Sequence, residues 1–497
     1  MRRGGGHEFA LEDWLDAEFA RHWSAAGLSV ESCDDATFLR RVYLDLVGRI
    51  PSVAEVRDFL TDSAPDKRAK LVDRLLVDPD NSSQNTRDHA EHLARIWRRM
   101  MVPPGTNGPM AGRQFDVWLE QQFRDNARYD ELARRLITMQ TEGENAASPA
   151  AFYQAIGAAP EESAGEISRV FLGVRLACAQ CHDHPFNEWT QTDFWGMAAF
   201  FAGSQVNPQT GEVQQNATPG KITYEGEEYA AKVLWSEEPA SLPRNESPRE
   251  VLAEWMIDAD NPNFAATAVN RVWQHLFGRG LVAGVDDLDL ASEEERSVLL
   301  DDLARKFTGS GFDLRWLIAG ICKSRVYQCR TVNDPDDEAS PFLGLRPLKT
   351  LTPEQMFDSL EQALALPVTR TSDEAARYNG TMVQMLMRLD ESAAATPVDY
   401  SAGVPQVLML MNGQLMSEAT SLDASRTLRA VVDAPFLEAV EKIDTLYLAA
   451  FTRHPTESER AVLLKHVQGR ETREQRRKAY GEIFWAILNS PEFVLCR

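Results

Sequence analysis

Five consecutive residues, Cys178-Ala179-Gln180-Cys181-His182, carry the sharpest chemistry in the chain. Two thiols three positions apart, with an imidazole directly after the second, have the order of a covalent c-type haem site. There each cysteine forms a thioether to a porphyrin vinyl group and the histidine reaches the iron from one face. The segment continues Asp183-His184-Pro185-Phe186, which opens a second chemistry. Its thiolates and imidazoles have the donors of a tetrahedral zinc or iron site, with His182, His184 and Asp183 as metal ligands. A third reading is a reduced dithiol that holds no cofactor.

A haem needs a donor from elsewhere for its other face, because His184 is too near His182 in sequence to reach it. Met197, His89 and His92 are the candidates, and an open iron site is equally allowed. Met197 lies in Asp193-Phe194-Trp195-Gly196-Met197-Ala198-Ala199-Phe200-Phe201, which reads as a helix with an aromatic side that could pack on a porphyrin. Methionine in an aromatic stripe is nevertheless more often core filling. His89 and His92 are spaced to share a helix face beside Trp97.

The frame for these residues is helical. Phe9, Leu11, Trp14, Leu15 and Phe19, then Phe38, Leu39, Val42 and Leu46, recur at three and four residue intervals. The same period predicts helices over 53–60, 67–77, 89–101, 115–123, 129–139 and 167–176, so the cysteine motif falls at a helix end or in the turn after it. Pro51, Pro79 and Pro103-Pro104-Gly105 separate these runs. From about Gly203 to Pro248 the chain turns polar, with strand candidates only at 221–224 and 229–235. Helical patterns resume over 248–257, 265–277, 293–307, 314–322, 353–365, 439–451 and 477–488. The fold class is therefore mainly α, two packed helical domains joined by a polar segment with a little β: residues 1–205, a linker over 206–247, and residues 248–497.

Composition narrows the partners. The chain has 497 residues, 43% hydrophobic and 26% charged, so a folded protein of more than one packing unit is expected. A net charge of −23 repels a phosphate backbone, which argues against nucleic acid. Basic runs at Arg95-Ile96-Trp97-Arg98-Arg99 and Arg473 to Lys478 read as solvated helix faces. No stretch approaches the roughly 20 apolar residues of a membrane span, and the chain as given shows no export leader. Of six cysteines only Cys178 and Cys181 have a telling spacing. Cys322 and Cys329 sit at what reads as a helix end, too far apart for a disulfide unless the helix breaks. Asp286-Asp287-Leu288-Asp289 lacks the glycine and terminal glutamate of a calcium loop and reads as a solvated turn. Catalytic-serine, phosphate-loop and dinucleotide motifs are missing.

In several long stretches the sequence resembles large two-part proteins of unknown function from planctomycete bacteria, in which a cytochrome-like domain precedes a planctomycete-specific domain. The first part is matched by Phe38-Leu39-Arg40-Arg41-Val42-Tyr43-Leu44-Asp45-Leu46-Val47-Gly48-Arg49-Ile50-Pro51, by Arg169 to Val174 leading into Cys178 to Phe186, and by Trp189 and Phe194-Trp195-Gly196. The second is matched by Asn261 to Phe264, Asn270-Arg271-Val272-Trp273, Gly278 to Val282, Leu351 to Gln355, Gln406 to Gly413 and Leu488 to Phe493. The resemblance implies an exported, periplasmic or otherwise extracytoplasmic protein, and no activity. Relatives typically carry a signal peptide and often a further small cytochrome domain, neither seen here; the chain would be cytoplasmic if complete.

Three functions follow. The first is a haem-binding electron-transfer module of the cell envelope, with an acidic surface that selects a basic or membrane-bound redox partner. The second is a zinc- or iron-dependent hydrolase of extracellular polymer, with Glu188 as base. The third is a non-catalytic envelope scaffold in which the cysteine motif only staples the fold. Oligomeric state is left open.

Overall fold

The structure, a computed structural model, describes residues 10–77, 84–102, 109–140, 148–206, 213–215, 220–243, 246–288, 298–331, 348–365, 421–422 and 425–496. The Gln406 to Gly413 landmark, Asp289, the prolines near 103 and the glycine-rich start lie outside them. Among the described residues helices dominate, as the periodicity predicts, and β-structure is confined to two-stranded antiparallel pairs. Many helix starts are written locally. Asp34 caps Asp35–Leu46, and Ser52/Glu55, Thr190/Asp193, Ser247/Glu250 and Thr352/Gln355 form capping boxes that satisfy the first free N–H groups.

Contacts gather the chain into two units, Met1–His89 with Cys322–Arg497 and Ala90–Ile321. The compositional change over 206–247 thus falls within the second unit.

In the first unit the helix Asp35–Leu46 is a hub. Its apolar residues are buried, and so are Arg40, Arg41 and Asp45. Arg40 donates to the oxygens of Ala450 (2.8 Å) and Phe493 (2.7 Å), carbonyls at the ends of the helices Ala439–Phe451 and Pro491–Val494. Arg41 donates to the oxygens of Tyr327 and Cys329. Asp45 accepts from the Tyr327 hydroxyl and Lys349 Nζ, each at 2.7 Å. Charges can be buried here because each meets a partner. Around Ile443, Leu446, Tyr480, Phe484 and Leu488 the later helices close an apolar core.

The second unit centres on Tyr129, whose ring lies 5.2 Å from Phe264 and 6.0 Å from Phe171. Arg249, 1% exposed, sits 4.5 Å from the Tyr153 ring centre and donates to the Ile137 oxygen at 2.8 Å. This cation–π contact ties the helix Pro248–Met256 to the rest of the unit.

Several expectations are corrected. The strand candidate at 229–235 pairs only over Glu227–Ala230, because Trp235 takes a left-handed φ of 60° that a strand cannot hold. Arg95 is buried and paired with Glu91 at 2.6 Å, so the run at 95–99 is not simply a solvated face; Arg473 to Arg476 are exposed, as read. Cys322 lies in the helix Leu314–Lys323 while Cys329 lies beyond it, and no disulfide joins them, as the spacing led one to expect. No helix among the described residues is long and apolar enough to cross a membrane.

Candidate functional site

The helix Pro160–Leu172 delivers the motif. It stops earlier than the apolar period suggests because Gly173 adopts φ 63°, a left-handed cap that bonds back to the Arg169 oxygen. A Cβ on Gly173 would lie 2.8 Å from Leu288 Cβ, so glycine also permits this close approach. The last carbonyls find distant partners. Arg271 donates to the oxygens of Arg169 (2.8 Å) and Val170 (3.2 Å), and Asn263 Nδ2 to that of Leu172 (3.2 Å).

Arg271 is held in turn by Asp286 at 2.6 Å, and Asp286 also meets Arg169 at 3.2 Å. Burial pushes the Asp286 carboxyl up, but Arg271 and Arg169 outweigh it and hold the group below the usual carboxylate range. Glu166, beside Arg169, is pushed up by burial. The turn read as solvated at Asp286 is therefore an ionic anchor. Its sequence signal was Arg271 within Asn270-Arg271-Val272-Trp273, whose partner lies too far along the chain to be read from spacing.

A 3-10 turn, Leu176–Ala179, follows, with Leu176 and Ala179 buried and Cys178 turned out between them. Gly165 lets this turn lie close, since a Cβ there would meet Ala177 Cβ at 3.3 Å. Cys178 and Cys181 are exposed and free, and His182 is exposed. His182 Nδ1 lies 2.8 Å from the Asp183 carbonyl oxygen, so Nδ1 carries the proton and donates, which leaves the lone pair on Nε2. His184 is the reverse: its Nδ1 accepts from the Phe186 backbone N–H at 3.2 Å, and separately its backbone N–H donates to the Trp189 carbonyl oxygen at 2.8 Å. The Asp183 carboxylate accepts from the Gln191 N–H at 3.1 Å. His184 and Asp183 thus serve the loop, and among the described residues no three His, Cys, Asp or Glu side chains gather as metal ligands. Glu188 is exposed beside this loop.

The candidates for the other haem face are all buried. Met197, on the helix Gln191–Ala198, is completely buried. His89 is buried with Nδ1 2.7 Å from the Leu46 oxygen, and the buried His92 has its ring 5.7 Å from His275. A half-buried aromatic side is supplied instead by the hairpin Lys221–Tyr224/Glu227–Ala230, whose Tyr224 ring stacks on Trp195 at 4.1 Å. The Tyr224 hydroxyl is pushed up by Glu225, by partial burial and by the nearby Cys181. Asp193 binds Lys232 at 2.7 Å and fastens the segment after the hairpin to this helix.

These features define a mainly helical two-part protein that presents an exposed dithiol and imidazole on one anchored turn. Residues 14–206 match PSCyt2, a protein of unknown function (DUF1549), and residues 248–387 match PSD1, a protein of unknown function (DUF1553). The chain belongs to the two-part proteins that join a planctomycete cytochrome-like domain to a planctomycete-specific domain. No curated protein and no solved structure matches it. Arg169 and Val170, in the first match, are held by Arg271 in the second, so parts of the two matched segments meet within one packing unit.

Proposed function

We propose that the chain carries one c-type haem on Cys178 and Cys181, with His182 Nε2 as an axial ligand, and passes electrons outside the cytoplasm. One observation carries this reading: both thiols face solvent on a turn that also presents an imidazole with its Nε2 lone pair outward. These residues suit the group, since a flat macrocycle needs reachable sulfurs and a histidine whose other nitrogen is occupied.

When bound, the haem supplies a one-electron couple. The chain's own contribution is to attach and orient it. Each thiol adds across a vinyl group, its sulfur forming the new bond and its hydrogen passing to the other vinyl carbon, with no oxidant consumed. The Asp183 carbonyl fixes the His182 ring, and the Arg271 clamp fixes the helix that leads to it. The half-buried Tyr224 edge beside Cys181 offers an aromatic flank.

Expression with a c-type maturation system tests this. The expected product has the mass of chain plus one haem and visible absorption that survives denaturation, both lost in the Cys178→Ala/Cys181→Ala variant. His182→Ala should keep the covalent bond and alter the axial-ligand bands. A colourless product with two alkylatable thiols would sink the proposal.

A further inference from the structure

The loop after the motif, the hairpin and the segment after it carry exposed aromatic side chains and many exposed carboxylates. Phe186 is 84% exposed and Trp235 53% exposed, far more than such side chains usually are. Trp235 packs against Trp189 at 5.5 Å, and Trp189 receives the His184 N–H, so this apolar patch adjoins the motif loop directly.

Its surroundings are predominantly acidic, and the nearby Arg175 is paired with Asp287 at 3.1 Å. From Asp183 to Glu246 the sequence holds ten carboxylates and three basic side chains. Asp183, Glu188, Glu225, Glu227, Glu237 and Glu238 are exposed. The two basic residues described here are engaged, Lys221 with Glu228 at 2.6 Å and Lys232 with Asp193 at 2.7 Å.

We infer that this face docks a basic protein, one that presents lysine or arginine side chains around an apolar centre to the carboxylates around Phe186 and Trp235. The argument is charge complementarity. A second copy would set like charges against each other, and an anionic lipid surface would be repelled in the same way. Buried aromatics at the centre with charged pairs at the rim is also the usual anatomy of a specific contact. The inference rests on the haem reading for its purpose, because a redox partner must approach the exposed motif, but the docking itself can be measured without haem.

The probe is mitochondrial cytochrome c, a small lysine-rich redox protein, beside its succinylated form, in which the lysine charges are reversed. Binding is followed by calorimetry or interferometry on the full chain, both after haem loading and as the haem-free Cys178→Ser/Cys181→Ser variant. Native cytochrome c should bind at low salt and weaken as salt rises, and the succinylated form should not bind.

Neutralising Glu225, Glu227, Glu237 and Glu238 together to Gln should weaken binding by roughly tenfold or more, and Trp235→Ala by several-fold. Neutralising the exposed Glu457, Glu471 and Glu474, which belong to the other packing unit, should change it less than twofold. Equal binding by the quadruple variant, equal binding of both probe forms, or self-association abolished by Trp235→Ala would each overturn the inference. A colourless chain that still docks defeats only the haem proposal; a haem-loaded chain that does not dock defeats only this one.

Discussion

The Arg271 guanidinium donates to the Arg169 carbonyl oxygen at 2.8 Å, across 102 residues of chain. It shares that oxygen with the Gly173 N–H and also supplies a donor to the Val170 oxygen, at the end of the helix that leads into the cysteine motif. A cation is also favoured at that end by the helix dipole.

Removing this group takes the side-chain donor from the Val170 carbonyl and leaves the Asp286 carboxylate with one cation fewer. Arg271→Ala should destabilise the chain by about 3–5 kcal/mol, as expected when one partner of a buried pair is lost. Arg271→Lys should recover only part of this, because an ammonium cannot reproduce the planar fork. Urea unfolding followed by tryptophan fluorescence measures both; an unchanged midpoint for Arg271→Ala would refute the clamp.

The thiols divide by exposure. In haem-free protein, iodoacetamide should label Cys178 and Cys181 first, while Cys33, Cys322, Cys329 and Cys496 are buried. Burial pushes the Cys329 thiol up to about 12, which removes its reactive thiolate at neutral pH. Peptide mass spectrometry over time should show the buried set slower by on the order of a hundredfold, limited by opening of the fold. Early labelling of Cys329 would contradict the packing.

Asp45 and Lys349 form an ion pair across 304 residues, with Asp45 almost wholly enclosed. Lys349→Met should cost about 3–5 kcal/mol by leaving that carboxylate uncompensated. The double variant with Asp45→Asn should cost less than the sum of the singles, since the remaining strain is removed with the charge. Additive losses in a thermal-unfolding cycle would show that the two do not act as a pair.

Acid should loosen the turn between the helices Ala439–Phe451 and Glu457–Gln468. Hydrogen bonds from Arg453 hold the Glu459 carboxyl at about 2, against 4.5 for an ordinary glutamate. A folded-state value below the unfolded one means that ionisation favours folding, so the contribution is complete above about pH 4.5 and fades as pH falls through about 2. Both side chains are partly exposed, which limits the effect to about 1 kcal/mol. The stability gap between the parent and Glu459→Gln should be present at pH 7 and gone near pH 2; a gap independent of pH would exclude this ion pair as its source.

Much of this was legible from the residues alone. Helical periods, capping pairs such as Ser52 with Glu55, and the order Cys178, Cys181, His182 depend on interactions within a few positions, so local spacing determines them. The helix carrying Arg40, Arg41 and Asp45 was recognisable, but its buried charges depend on carbonyls and side chains hundreds of residues away. The tertiary structure decided that both thiols face solvent, that Met197 lies in the core, and that Nδ1 donates in His182 but accepts in His184. Burial follows from which groups meet in space, and the histidine tautomers from the turn geometry that the folded loop adopts; a one-dimensional pattern encodes neither.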